Sequence, residues 1–92
     1  MLTHRQHDAM LAIEAAIERT GGVAPTVEEL AASLKLRSRT AAWKLIDGLV
    51  LRGFVRRLPG EERGLEVVRP VSRFKFLRFD AETGKAVLAQ PP

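Results

Sequence analysis

The sequence contains no cysteine, which removes disulfides, thiolate nucleophiles and thiolate metal sites together. No apolar run approaches the roughly 20 residues of a membrane-spanning helix. The opening Met1-Leu2-Thr3-His4-Arg5-Gln6-His7-Asp8 lacks the charged-then-apolar layout of a secretory signal, so a cytoplasmic protein is expected. There is no internal repeat, low-complexity tract, Gly-rich phosphate loop, nucleophile elbow or metal signature. His4, His7 and Asp8 have a spacing that can bind zinc, but they fall on an acidic helix start and read as a solvated surface. The paired carboxylates Glu28-Glu29 and Glu61-Glu62 belong to a helix start and a turn, where acid–base work is not expected. The sequence therefore argues against an enzyme, with no catalytic residue, metal, cofactor, small-molecule ligand or membrane partner expected.

What is present is an ordinary globule. Of 92 residues, 46% are apolar and 28% charged, which suits one domain with a modest core and little room for a deep substrate cavity. The formal charge of +4 is unevenly placed. Residues 1–34 carry Arg5 and Arg19 against Asp8, Glu14, Glu18, Glu28 and Glu29. Residues 35–79 hold twelve bases against Asp47, Glu61, Glu62 and Glu66, a local balance of +8. A contiguous positive field of this kind suits a polyanion, with double-stranded DNA the leading partner.

Local signals divide the chain into elements. Thr3 and Gln6 form a capping box, apolar positions Met10, Ile13 and Ile17 continue one helical face, and Gly21-Gly22 can stop it, predicting a helix over 4–20. Thr26 and Glu29 repeat the box, with Val27, Leu30, Ala31 and Leu34 as the apolar stripe of a helix over about 27–34. Ser38 caps a third helix reaching about Arg52, stopped by Gly53. Its inward face is Ala42, Leu45, Ile46 and Leu49. Its other face carries Thr40, Trp43, Lys44 and Asp47, joined by Arg39. Residues 54–58 and 65–68 read as strands around a charged turn. After Pro70, alternation over 71–79 and the segment 85–89 suggest a second hairpin, with a bulge at Phe76-Leu77. The fold class is α+β: a winged helix-turn-helix of three helices and a β-hairpin wing, with an additional C-terminal β-hairpin. The expected division is 2–69 for the winged helix-turn-helix and 70–92 for a β extension.

Leu2-Thr3, Arg5-Gln6, Thr20-Gly21, Pro25-Thr26, Leu36-Arg37-Ser38, Ala41-Ala42, Gly53 and Arg63-Gly64 together resemble the N-terminal winged helix-turn-helix domain of the LexA repressors over residues 2–68. The resemblance implies base-reading positions at Ser38, Thr40, Ala41, Trp43 and Lys44. LexA repressors typically have Asn where Thr40 stands and acidic residues where Trp43 and Lys44 stand, so the usual operator is not expected here. They also continue into a self-cleaving Ser/Lys domain. With that domain missing from these residues, the expectation is a regulator, repressor or activator, not switched by self-cleavage.

Helix 38–52 is expected in the major groove, with Arg39 and Lys44 facing guanine and Thr40 or Ala41 a thymine methyl. For Trp43, contact with DNA and partial burial over Lys35 or Leu36 both stand open. Thr26, Lys35, Arg37, Arg52, Arg56 and, on the wing 58–65, Arg63 are the phosphate or minor-groove candidates. Phe74, Phe76, Leu77 and Phe79 are candidates for dimer or partner contact, or for covering the core. Two other functions are kept in view: a winged-helix adaptor that binds a protein such as RNA polymerase, and a replication or recombination DNA-binding protein.

Overall fold

The computed structural model describes residues 2–60, 63–71 and 77–88. Each of its helices begins where a side chain satisfies free backbone N–H groups, the local requirement that the first turn of any helix imposes. Helix α1 spans His4–Thr20: Thr3 Oγ1 accepts the Gln6 N–H at 3.1 Å and Gln6 Oε1 accepts the Thr3 N–H at 2.9 Å. Helix α2, Val27–Ser33, opens on the same reciprocal pair made by Thr26 and Glu29, at 3.1 and 3.0 Å. Helix α3, Arg39–Leu51, starts at Ser38, whose hydroxyl accepts the Ala41 N–H at 3.3 Å. Predicted and observed bounds differ only by flanking residues such as Leu34, Ser38 and Arg52, which cap rather than continue the helices.

Between α2 and α3 the chain turns through Lys35 at φ 56, the one non-glycine residue with positive φ among the described residues. The Leu36 N–H reaches the Ala31 carbonyl at 2.9 Å and the Lys35 N–H the Ala32 carbonyl at 3.1 Å. This paired closure is the Schellman ending that glycine usually occupies. It aims α3 away from α2 in the helix-turn-helix arrangement.

The core is built on Met10, Ile13, Leu30, Leu34, Ile46 and Leu49. Predicted stripe positions Leu30, Ala31 and Leu34 of α2 and Ala42, Ile46 and Leu49 of α3 are buried, while Val27 and Leu45 are half-buried. Helix α1 departs from a one-sided pattern. Every residue from Asp8 to Ile13 is buried, because α1 meets α2 and α3 on one side and a second hairpin on the other.

Strands β1 (Val55–Arg57) and β2 (Leu65–Val67) form the first antiparallel hairpin, with Val55 opposite Val67, Arg56 opposite Glu66 and Arg57 opposite Leu65. Both are shorter than the sequence reading, which began at Phe54 and ended at Val68. Phe54 instead gives its carbonyl to the Val68 and Arg69 N–H groups, closing the base of the hairpin. The wing-tip residues Glu61 and Glu62 lie outside the described residues.

Strands β3 (Leu77–Asp80) and β4 (Lys85–Leu88) form a separate antiparallel hairpin lying on α1. Its turn closes with the Gly84 N–H on the Asp80 carbonyl at 2.8 Å. The segment before it, with Arg73, Phe74, Lys75 and Phe76, lies outside the described residues, as do the side chains of Leu77, Arg78 and Phe79 and the tail from Ala89.

Two polar clamps join this hairpin and its approach to the helices. The Arg5 guanidinium donates from Nη1 to buried Asp8 (2.8 Å) and to the Gly84 carbonyl (3.2 Å), and from Nη2 to the Leu34 carbonyl (2.7 Å). One side chain therefore ties α1, the end of α2 and the β3–β4 turn. Glu14 accepts the N–H of buried Val71 at 2.8 Å, which holds the chain leaving the wing against α1.

Candidate nucleic-acid interface

With Ala42, Ile46 and Leu49 fully buried, the helical repeat leaves Thr40, Trp43, Lys44 and Asp47 on the opposite side of α3, joined by Arg39, its first residue. All five are exposed, as is the capping Ser38, while Ala41 is half-buried at the margin. Lys35 and Arg37 are exposed on the turn leading into α3, and Arg52 is exposed at its C-cap.

Trp43 leans toward the wing. The Arg57 guanidinium sits 4.7 Å from the centroid of its ring and also pairs with Asp47, four residues along α3. A guanidinium over an indole face is attracted by the ring quadrupole, and the carboxylate fixes it there. Behind this stack a cavity of about 70 Å³ lies among Pro25, Val27, Ile46, Leu58 and Leu65, enough for no more than a couple of waters. Trp43 keeps 39% of its surface exposed, so part of the ring remains available to a ligand.

Several basic side chains already have acidic partners. Arg39 Nε lies 3.0 Å from Glu28 Oε1, both side chains more than half exposed. Arg56 pairs with Glu66 directly across the hairpin. Arg63 forks onto Glu29, at 2.6 and 2.9 Å, and also donates to the Ala24 carbonyl at 3.0 Å. Hydrogen bonds from Arg63 first, and from the Thr26 N–H second, hold the Glu29 carboxyl at about 2, well below its ordinary 4.5.

These pairings give the cations of the wing and the start of α2 partners within the molecule. Thr26 is 8% exposed and its hydroxyl caps α2. The Arg63 side chain points back to α2 and anchors the wing instead of reaching outward. Arg56 is held by its cross-strand neighbour. Arg57, absent from the phosphate candidates above, is a wing residue whose side chain meets Trp43 and Asp47 of α3. Asp47 gave a partial signal, since it follows Trp43 by one helical turn and therefore sits beside it. Among the described residues no group of three or more His, Asp or Glu side chains forms a metal cluster, and Asp8 is held by Arg5.

Comparison with known proteins agrees with this geometry. The family model described as LexA DNA binding domain matches residues 1–64, which run from α1 to the turn of the wing. The chain belongs to the LexA DNA-binding domain family. It is 44% identical over 69 residues to the LexA repressor of Zymomonas mobilis and 42% identical over 69 residues to that of Novosphingobium aromaticivorans. Each alignment covers 75% of this chain but only 31% and 29% of the respective relative, so the chain spans about a third of the length of these proteins. The hairpin β3–β4 of this LexA-like domain lies beyond the residues the family model matches. No helix among the described residues is long and apolar enough to cross a membrane.

Proposed function

We propose that this LexA-like domain binds duplex DNA sequence-specifically and regulates transcription, with α3 lying in the major groove. The observation that carries the reading is the two-sided character of α3: one face is fully buried, while Arg39, Thr40, Trp43 and Lys44 stand exposed beside a capped N-terminus. A major groove admits a helix and displays a distinct donor, acceptor and methyl pattern for each base pair. Arg39 and Lys44 supply donors for guanine, and Thr40, with Ala41 at the margin, a methyl contact for thymine. Trp43 offers its uncovered edge to the same surface, while Lys35, Arg37, Arg52 and the backbone amides following Ser38 hold phosphates. Repression is the sign carried by the names of its relatives.

Selection of bound duplexes from a random pool, followed by titration across salt, tests the reading. A defined motif is expected, with log affinity falling against log salt by about 0.9 per phosphate neutralised. Replacing Arg39 or Lys44 by alanine is expected to lose about 1–3 kcal/mol and relax one position of the motif. The spacing of selected half-sites reports whether two copies bind together. A pool that enriches nothing would refute the DNA-reading role and favour a protein-binding adaptor.

A further inference from the structure

The geometry points to Glu28 as a positioning residue for base recognition, a carboxylate on α2 that orients Arg39 of α3 toward guanine. This rests on the DNA-binding reading above and adds a specificity element drawn from outside the recognition helix.

The two side chains form an exposed ion pair between the starts of the two helices. Glu28 Oε1 lies 3.0 Å from Arg39 Nε, and among the described residues no other partner meets that side chain. An arginine whose Nε lies beside a carboxylate can still present its terminal Nη1 and Nη2 groups as a fork, the shape that matches the O6 and N7 acceptors of guanine. Glu28 is well placed to do this because Thr26 and Glu29 fix the start of α2, and Ser38 fixes the start of α3. Arg39 is the first residue of α3, so the two rigid helix starts face each other across the turn.

The two adjacent glutamates have separate tasks. Glu29 turns to Arg63 and holds the wing, and Glu28 turns to Arg39. In the free protein the Glu28–Arg39 pair is exposed and contributes little to folding, as surface pairs generally do. Against DNA, where water is displaced, the same carboxylate limits the rotamers of Arg39 and disfavours its attachment to a passing phosphate. The consequence is discrimination between bases rather than overall affinity.

Random-duplex selection with the intact chain and with Glu28→Gln, Arg39→Ala and the double variant tests this. The unaltered chain should enrich guanine at one position, and Arg39→Ala should lose that preference. Glu28→Gln should lose it at the same position by on the order of tenfold, keep its unfolding midpoint, and bind unrelated duplex at least as well as before. The double variant should lose no more than Arg39→Ala alone, since the two side chains act as a unit. Guanine preference retained in Glu28→Gln but lost in Arg39→Ala would overturn the proposal and leave the DNA-binding reading intact. So would a loss at a different position, or a preference that survives Arg39→Ala. Failure of the unaltered chain to enrich any motif would remove both.

Discussion

Replacing Gly84 by alanine tests whether the second hairpin is seated on the helices, and Gly21→Ala supplies the matching control. Both glycines are in the left-handed region, Gly84 at φ 71 and Gly21 at φ 77, so both substitutions carry a backbone penalty of about 1–2 kcal/mol. Their surroundings differ. A methyl group at Gly21 meets nothing within 4 Å, whereas at Gly84 it falls 2.9 Å from the Ser33 carbonyl oxygen and 3.0 Å from the Leu34 carbonyl carbon. Those obstacles are backbone at the end of α2 and cannot swing aside, so the β3–β4 turn must lift. Lifting it also breaks the hydrogen bond from Arg5 to the Gly84 carbonyl, removing a further ~1–2 kcal/mol from a charged donor. The expected destabilisation is about 3 kcal/mol or more for Gly84→Ala against about 1–2 kcal/mol for Gly21→Ala. For a domain of this size these correspond to falls in unfolding temperature of roughly 12–24 °C or more and roughly 4–16 °C. Thermal unfolding of the two variants side by side reads the difference. Equal losses would refute the docked hairpin.

Glu29→Gln keeps a capping side chain at the start of α2 but removes the charge that pairs with Arg63. Because folding lowers the Glu29 pKa to about 2 from 4.5, its stabilisation is complete above about 4.5 and disappears as pH falls toward 2. Unfolding midpoints of the unaltered chain and of Glu29→Gln should therefore converge across that window and separate at neutral pH. Lys35→Gly relieves a lysine held at φ 56 and should raise stability by about 1 kcal/mol in denaturant unfolding. The same substitution removes one exposed cation beside α3, so the salt slope of DNA binding should fall by about 0.9.

What was legible in the sequence is what neighbouring residues decide among themselves. Thr3 with Gln6, Thr26 with Glu29, and Ser38 ahead of Ala41 announce helix starts because capping links residues three apart, whatever the rest of the chain does. The inward and outward faces of α3 follow from a fixed helical repeat, so the buried Ala42, Ile46 and Leu49 and the exposed Thr40, Trp43 and Lys44 could both be read in advance. The partners of charged side chains were a different matter. Composition shows a surplus of cations, but Arg63 finds Glu29 thirty-four residues away, and Arg57 finds Asp47 and Trp43 on another element. An arginine facing a carboxylate and an arginine facing a phosphate look alike in a sequence.

By itself the sequence determined the three helices, the wing and the cationic face of α3, because caps, turns and periodicity act over a few residues. Only tertiary structure decided that α1 is enclosed between two layers, that Arg5 joins three elements, and that acidic partners on α2 and α3 hold Arg39, Arg57 and Arg63. Each of these depends on distances through space between distant residues, which exist only once the core has formed.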